Sequence, residues 1–368
     1  MLKKRKTLIT EISGKVGKVM ILSLRTMRCA LDVVTGASGL LGSHVVEKLV
    51  KQGRSVRALV RSSSDTSFLE SLGVEVLRGS LIDQEFLNHA LKGCKTLYHC
   101  AAKVGEWGPW REFVENIIKP VESLVIACTV NKVQKVAHVS SITVYGHPKD
   151  SSFPIDESAP TGQYLWRADN YIRAKLQTEA LWRKYQGEIT ILRPTWFFGP
   201  RDRTSLPRVL AAYRLNRIAQ AGDGSNMLNV LYAGDVADGV IKAGQNLKSA
   251  GKIYNLSNPG EITQKEFLAL LSDSLGYPKV RKVYSIRMAY IAGFVSEFIG
   301  KLILLKRPPH ITRYTVGLVT RSNKFVISNA MNDLGWQPTT HVCDAVKATI
   351  EWYFGSAKRP GPLARSMT

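Results

Sequence analysis

The stretch Val33-Val34-Thr35-Gly36-Ala37-Ser38-Gly39-Leu40-Leu41-Gly42 places three glycines, spaced three residues apart, between a short apolar run and the start of a helix. The run from Leu31 to Val34 predicts a buried strand, and Ser43 to Val50 continues with the apolar spacing of an amphipathic helix. A strand, a glycine turn and a helix in this order are typical of a dinucleotide-binding unit, whose pyrophosphate lies at the helix N-terminus. The stretch therefore predicts a Rossmann-type fold.

Each glycine has its own role in such a turn. Gly36 permits a tight turn with positive φ, Gly39 lets the backbone approach a pyrophosphate, and Gly42 lets the helix pack close to the strand. The free N–H groups at the helix start then face the phosphates. The residues predicted to contact the dinucleotide here are Gly36, Ser38, Gly39, Leu40, Leu41 and Gly42.

Strand and helix patterns alternate along the first half of the chain. Strands are predicted at 31–34, 55–61, 74–77, 95–99, 135–140 and 189–192, and helices at 43–50, 84–91, 113–130 and 170–185. This alternation predicts right-handed βαβ units and a doubly wound parallel α/β sheet.

Prolines and glycines break this pattern beyond residue 193. Short strands are predicted there at 230–232 and 253–256, and helices at 264–275 and 344–353. The expected organisation is a basic N-terminal extension (1–26), a dinucleotide-binding domain (27–193), a smaller C-terminal lobe that binds the substrate (194–355) and a C-terminal tail (356–368). The boundary at 193 is gradual, because enzymes of this kind often return the chain to the sheet. A natural start at Met27 also fits.

The composition is that of a globular protein with a large core: the 368 residues are 45% hydrophobic and 22% charged. A formal net charge of +22 favours anionic partners. Because the basic residues are spread along the chain and no nucleic-acid motif occurs, a solvated basic surface is favoured over nucleic-acid binding. The five cysteines are irregularly spaced, which argues against a disulfide framework and a zinc site and favours a reducing cytoplasm.

The segment 288–305 is the most apolar part of the chain, but Glu297 and Lys301 interrupt it, so a membrane span is not predicted. Basic residues flank it at Arg287, Lys306 and Arg307. Two interpretations stay open: peripheral contact with a membrane surface, and a helix that covers the substrate pocket. The thin polar face favours the second.

Two groups of residues suggest acid–base chemistry. Tyr171 and Lys175 are four residues apart in a predicted helix, so their side chains share one face, and an ammonium group near a phenol lowers the pKa of the phenol. Ser140 and Ser141 end the fifth predicted strand, at the edge of the sheet where ligands bind. A serine hydroxyl there is expected to hold a substrate oxygen toward Tyr171.

Several motifs occur in order: Thr-Gly-x-x-Gly-x-x-Gly at 35–42, His-Cys-Ala-Ala at 99–102, Ser-Ser-x-x-Val-Tyr-Gly at 140–146, Tyr-x-x-x-Lys at 171–175 and Leu-Arg-Pro at 192–194. Over nearly its whole length the chain resembles the extended short-chain dehydrogenase/reductase superfamily of the NAD-dependent epimerase/dehydratase type. The segments 103–110 and 325–338 resemble its 3β-hydroxysteroid dehydrogenase-like branch.

The resemblance implies a catalytic centre of Ser141, Tyr171 and Lys175. Tyr171 is then the base, Ser141 orients the reacting oxygen, and Lys175 lowers the pKa of Tyr171 and binds the ribose. Further cofactor contacts are implied at Asp83, near the adenine, and at Ala101, Ala102 and Pro194.

The choice of cofactor depends on the end of the second strand. An acidic residue there would bind the ribose 2′-hydroxyl of NAD, but the chain has Arg61 followed by three serines. Arginine and hydroxyl groups suit a 2′-phosphate, so NADP is favoured over NAD, with Asp65 as a competitor.

The expected function is an NAD(P)-dependent oxidoreductase that acts on a secondary alcohol or ketone. The resemblance and the apolar 288–305 segment favour a hydrophobic, sterol-like substrate. Three alternatives stay open: a nucleotide-sugar epimerase or dehydratase, a dihydroflavonol-type reductase, and a cofactor-binding scaffold without catalysis. A homodimer is expected from the superfamily.

Overall fold

The computed structural model describes residues 30–103, 105–147, 154–166, 168–258 and 260–355. The predicted extension (1–26) and tail (356–368) lie outside these residues. The strands of the described chain are β1 (Leu31–Thr35), β2 (Ser55–Val60), β3 (Glu75–Arg78), β4 (Cys94–His99), β5 (Lys135–Val139), β6 (Glu188–Pro194), β7 (Trp196–Phe198), β8 (Gln220–Ala221), β9 (Met227–Leu228), β10 (Val230–Tyr232), β11 (Ile253–Leu256), β12 (Ile262–Thr263) and β13 (Val283–Tyr284).

The α-helices follow the strands in the expected alternation. They are α1 (Leu40–Lys51), α2 (Ser67–Ser71), α3 (Gln84–Ala90), α4 (Trp110–Phe113), α5 (Lys119–Val130), α6 (Asn170–Trp182), α7 (Ser205–Arg214), α8 (Ala233–Gln245), α9 (Gln264–Leu275), α10 (Ile286–Leu302), α11 (Arg313–Thr320), α12 (Ser328–Leu334) and α13 (Val342–Phe354). Short 3₁₀ segments occur at Ile142–Tyr145 and Leu247–Ser249.

The central sheet of the described residues has seven parallel strands in the order β3-β2-β1-β4-β5-β6-β11. The order reverses between β1 and β4, and such a switch point is where doubly wound sheets bind ligands. The doubly wound α/β prediction is therefore confirmed, and the first six strands differ from their predicted ends by one or two residues.

Helices cover both faces of this sheet. One core lies under α1, α8 and α12 and includes Val45, Val240 and Trp336. The other lies under α3, α5 and α6 and includes Leu124 and Trp182. Because both faces of the sheet are buried, most of β1 is buried and its sequence is largely apolar.

The chain returns to the sheet after residue 193, as expected for a gradual boundary. Helix α8 packs on α1, and β11 pairs with β6 at the edge of the sheet. Residues 233–256 of the predicted 194–355 lobe therefore belong to the sheet layer. A separate core joins α7, α9 and α13 around Phe267, Leu271 and Ile350, and this core forms the smaller lobe.

The single helix predicted at 113–130 is divided. A π-helical turn at Val114–Ile118 separates α4 from α5. Pro120 explains the widened turn, because proline lacks the N–H that would bond to the carbonyl of Asn116 and its ring crowds that carbonyl. The turn packs against α6, which carries Tyr171.

Two buried histidines lie side by side on the neighbouring strands β4 and β5. The rings of His99 and His138 stack with centroids 5.2 Å apart. His99 Nδ1 is 2.7 Å from Thr35 Oγ1, and His138 Nε2 is 3.3 Å from Thr178 Oγ1. Burial lowers the pKa of His99 to about 3 and holds the pKa of His138 well below its usual value. Both rings are therefore neutral in the folded protein.

This burial predicts a loss of stability in acid. Below about pH 6.5 the unfolded chain takes up protons that the folded protein does not bind, so the free energy of unfolding falls by up to ~1.4 kcal/mol per pH unit for each histidine. Urea unfolding at pH 7.5 and 5.5 measures the effect. His138→Leu should reduce the loss between these pH values by ~1.4 kcal/mol, whereas His310→Leu, at an exposed position, should leave it unchanged. An equal pH dependence in the His138 variant would contradict the assignment.

Candidate active site

The predicted catalytic pair lies on α6, which crosses the sheet beside the ends of β5 and β6. Tyr171, Lys175 and Glu179 are spaced by four residues and therefore lie on the same side of this helix. Lys175 and Glu179 are buried, whereas Tyr171 is partly exposed. The helix thus carries a phenol, an amine and a carboxylate in one row.

Lys175 is held at the end of β5. Its Nζ donates a hydrogen bond of 2.9 Å to the carbonyl of Val139 and lies 5.9 Å from the centre of the Tyr171 ring. Burial lowers the pKa of Lys175 to about 8, and the negative charge of Glu179 opposes this shift. The amine is therefore close to its protonation midpoint at a mildly alkaline pH.

Tyr171 packs against Phe113, which precedes the π-helical turn, and against Ile117 and Ile118 within that turn. Burial raises the pKa of Tyr171 to about 12, and the neighbouring Ser141 hydroxyl lowers it by less. The pKa lowering that the sequence predicts from Lys175 is therefore wrong for this structure. The physical reason is that Lys175 Nζ bonds to the Val139 carbonyl while burial disfavours the phenolate.

Ser141 follows β5 and begins the 3₁₀ segment Ile142–Tyr145. Its Oγ accepts hydrogen bonds from the backbone N–H (3.3 Å) and the hydroxyl (3.0 Å) of Thr143. Ser140, the other serine considered, points away, because its Oγ donates to Glu179 Oε1 at 2.6 Å. The structure thus brings Ser141, and not Ser140, beside Tyr171 as predicted.

Glu179 and Arg193 form a buried ion pair behind the catalytic row. Arg193 donates from Nε (3.0 Å) and Nη2 (2.7 Å) to the two carboxylate oxygens of Glu179. Its Nη1 donates to the hydroxyl of Tyr145 at 2.9 Å, and this hydroxyl donates to Asn255 Oδ1 at 2.8 Å. The pair therefore joins α6 to β6, to the 3₁₀ segment and to β11.

The glycine turn has the tight geometry that dinucleotide binding requires. Gly36 has φ +65°, and a Cβ there would lie 2.8 Å from the backbone of Ala101. A Cβ on Gly42 would lie 2.2 Å from the carbonyl oxygen of Gly36. No side chain caps the N-terminus of α1 at Gly39, so its N–H groups are available to an anion. Gly36, Ser38, Gly39, Leu40, Leu41 and Gly42 all lie in this turn or in the first turn of α1.

The other predicted cofactor residues lie around the same edge of the sheet. Ala101 and Ala102 follow β4, and the Ala101 N–H faces Thr35 Oγ1 at 3.4 Å. Pro194 ends β6. Asp83 caps α3 by accepting from the Phe86 N–H at 3.0 Å, so it has a structural use, and its contact with adenine stays a prediction.

The loop after β2 presents Arg61 to solvent. Within the described chain, the structure shows no hydrogen bond or ion pair of the Arg61 side chain. Asp65, the competitor for a ribose hydroxyl, is occupied: it accepts from Ser67 and forms an ion pair of 2.7 Å with Arg203. These contacts lower the pKa of Asp65, and the hydrogen bond from the Ser67 hydroxyl has the largest effect.

A cavity opens between the sheet domain and the smaller lobe. Its walls come from the segment after Ser141, from α6 at Ile172, from β7 at Trp196 and from α11. Most of the lining is apolar, with residues such as Ile142, Ile155, Ile172, Leu318 and Phe325. In the parts of the chain that the structure describes, no three His, Cys, Asp or Glu side chains are grouped to bind a metal ion.

Sequence reasoning missed several polar residues of this site. The sequence could have indicated Glu179, because it continues the four-residue spacing of Tyr171 and Lys175. His147, Asp169 and Arg321 had none, because they meet only after folding and belong to no local motif.

The sequence profile of the NAD dependent epimerase/dehydratase family matches residues 33–257. The chain belongs to this family. The match includes the glycine turn, the three catalytic candidates and the return of the chain to the sheet at β11. The family assignment from the motifs is therefore confirmed, and a nicotinamide dinucleotide is the cofactor type of the family.

Curated relatives and solved structures agree with this assignment. A 2-alkyl-3-oxoalkanoate reductase of Shewanella oneidensis is 29% identical over 330 residues, 85% of this chain and 84% of the relative. A mouse sterol-4-alpha-carboxylate 3-dehydrogenase, decarboxylating, is 25% identical and covers 86% of this chain and 89% of its own length. The UDP-glucuronic acid 4-epimerase of Bacillus cereus in complex with NAD superposes with a TM-score of 0.68 at 22% identity, over 88% of this chain and 98% of that chain, which shows the shared fold.

Replacing the phenol tests the centre. Tyr171→Phe removes the proton donor and should lower turnover about 10²- to 10⁴-fold, the range that general acid–base groups contribute. The affinity for the reduced cofactor, measured by fluorescence titration, should change less than about twofold, since the ring keeps its packing. Tyr284→Phe, at an exposed position far from α6, is the matched control and should keep full activity. Retained activity in Tyr171→Phe would refute the assigned role.

Proposed function

We propose that this chain is a nicotinamide-dependent reductase or dehydrogenase that interconverts a ketone and a secondary alcohol on a hydrophobic substrate. The observation that carries the proposal is the grouping of Ser141, Tyr171 and Lys175 beside a largely apolar cavity. The dehydrogenases and reductases among the relatives support the oxidoreductase class. A scaffold without catalysis has no need of this centre.

The residues of the centre have separate tasks. When bound, the nicotinamide supplies or accepts the hydride. Ser141 orients the substrate oxygen, and Tyr171 gives a proton to this oxygen in reduction or takes it in oxidation. Because the pKa of Tyr171 is raised to about 12, the phenol keeps its proton at neutral pH, which suits the reductive direction. Lys175 would donate to the ribose, and its Nζ lies 5.9 Å from the centre of the Tyr171 ring.

The cavity lining supports a hydrophobic substrate over a sugar nucleotide. Ile142, Ile172 and Phe325 offer no hydrogen bonds to a sugar ring. Two substrate classes fit: a branched 3-oxo acid, as in the Shewanella relative's name, and a sterol-like ring system, as in the mouse relative's name. An epimerase would regenerate its cofactor in each cycle, so net change in nicotinamide absorbance during turnover separates the two reaction types.

We further propose that the cofactor is NADP. Arg61 is exposed at the carboxyl end of β2 and carries a guanidinium that suits a 2′-phosphate, while Asp65 is paired with Arg203.

Arg61→Ala tests the cofactor choice. The variant should raise the KM for NADPH about tenfold or more, because one charge-assisted contact contributes ~1.5–3 kcal/mol. The KM for NADH should change less than about twofold. A wild-type enzyme that binds NADH tenfold more tightly than NADPH would overturn the choice.

Helix α10 exposes an apolar face that points away from the cavity. Its exposed side chains include Ile291, Phe298 and Leu302, and the following residues Ile303 and Leu304 continue the face. Exposed basic residues lie before, within and directly after the helix: Arg281, Lys282, Arg287, Lys301, Lys306 and Arg307. No helix in the described part of the chain is long and apolar enough to span a bilayer. We propose that this face rests on an anionic membrane surface, to which its apolar area and these basic residues are complementary.

Vesicle sedimentation tests the membrane contact. Vesicles of phosphatidylcholine with phosphatidylglycerol should bind the protein, and the double variant Phe298→Ser, Leu302→Ser should lose at least about tenfold in affinity. Leu247→Ser removes an exposed leucine elsewhere and is the control. If the wild type is a dimer that does not bind vesicles, and the double variant is a monomer, the face joins two copies of the chain. The homodimer and the cytoplasmic location stay predictions.

A further inference from the structure

The cavity beside the catalytic centre contains an arginine without a carboxylate partner. Arg321 follows α11 and lines the cavity together with Trp196 and Phe325. Its Nη1 donates a hydrogen bond of 2.7 Å to His147 Nδ1. Among the residues that the structure describes, no carboxylate forms an ion pair with Arg321. The guanidinium therefore lies in a mostly apolar cavity with no carboxylate bound to it directly; the nearest carboxylate of its hydrogen-bond network is Asp169, on the far side of His147.

His147 does not neutralise this charge. Since an arginine can only donate, Nδ1 of His147 must be the acceptor and carry no proton. The proton is then on Nε2, which donates to Asp169 Oδ2 at 2.9 Å. The imidazole is neutral in this arrangement and transmits a hydrogen bond from Arg321 to Asp169. It also stacks on the Trp166 ring at 4.1 Å, which fixes its orientation.

The second arginine of the cavity shows the contrast. Arg313 donates from Nε (3.0 Å), Nη2 (2.7 Å) and its backbone N–H (2.7 Å) to Glu297, which is buried on α10. Its guanidinium also lies 4.6 Å from the centre of the Trp166 ring. Arg313 is thus a structural residue whose charge is matched. Arg321 is held by the hydrogen bond to His147, and no carboxylate among the described residues pairs with it directly.

The geometry points to Arg321 as the binding residue for a substrate carboxylate, an inference that rests on the proposed function. An apolar cavity lined by one cation that no carboxylate contacts directly suits a molecule with an apolar body and one anionic group. The substrate class is a 3-oxo or 3-hydroxy carboxylic acid with an alkyl or ring body. Both relatives' names describe such compounds, with the carboxylate on the carbon next to the reacting carbon.

The carboxylate takes no part in the bond changes. In reduction, a C–H bond forms at carbon 3 with the cofactor's hydride, the C=O π pair takes the proton of Tyr171, and the carboxylate stays bound to Arg321. The Arg321–His147–Asp169 chain ends two residues before Tyr171, at the start of α6. Arg321, which binds the acid group, is therefore connected through His147 and Asp169 to the start of the helix that carries the proton donor Tyr171.

A pair of substrates that differ only in charge tests the inference. We suggest oxidation of 2-hexyl-3-hydroxydecanoate and of its methyl ester, with both cofactors, by wild type and by Arg321→Gln. The variant should lose about 30- to 100-fold in kcat/KM for the acid and less than about threefold for the ester, because only the acid uses the charge. Arg321→Lys should recover part of the loss. Arg208→Gln removes an exposed charge on α7 and should match wild type on both substrates.

The outcomes separate this inference from the proposed function. Equal losses on acid and ester, or no loss, overturn the role of Arg321 while the oxidoreductase activity stands. If wild type oxidises neither compound, the proposed substrate class is wrong. The affinity of the protein for the acid then tests the role of Arg321 alone. Quenching of tryptophan fluorescence by the acid, reported by Trp166 beside His147, should then weaken at least about tenfold in Arg321→Gln. Unchanged affinity for the acid in that variant overturns the inference.

Discussion

The buried ion pair between Glu179 and Arg193 is the interaction on which the rest of the site depends. It fixes the catalytic helix to β6, and through Tyr145 and Asn255 it extends to the 3₁₀ segment and to the strand that returns from the smaller lobe. Removing one partner would leave a buried charge uncompensated, a cost of ~3–5 kcal/mol. The pair therefore fixes the register between Ser141 and Tyr171, although neither belongs to it.

The proton positions of the centre follow from burial more than from charge. Tyr171 keeps its proton because the apolar cluster around the π-helical turn disfavours the phenolate. Lys175 donates its hydrogen bond to a backbone carbonyl, and burial lowers its pKa to about 8. Tyr171 and Lys175 therefore do not form the interacting phenol–ammonium pair that their four-residue spacing suggests. The Tyr171 phenol therefore carries its proton at neutral pH, and the ribose hydroxyls would offer Lys175 a further acceptor.

The parts of the fold that the sequence predicts are those set by local spacing. The strand, glycine turn and helix at 31–51 follow from an apolar run, backbone geometry and a 3.6-residue period, and helix α9 lies where its pattern predicts, at 264–275. The division of 113–130 had a signal in the sequence, because Pro120 lies inside the predicted helix and an internal proline kinks or breaks a helix. The Arg321–His147 contact joins residues 174 apart in sequence, and the pKa of Tyr171 depends on packing, so neither can be derived from local patterns.

The uncapped start of α1 has a consequence for the stability of the protein. No side chain bonds to its N–H groups, so a bound anion can accept hydrogen bonds from them. A ligand that binds the folded state alone adds RT ln(1 + [L]/Kd) to stability, about 2.7 kcal/mol at a hundredfold excess over Kd. A dinucleotide bound at this helix end would therefore stabilise the folded protein against unfolding as well as supply the hydride.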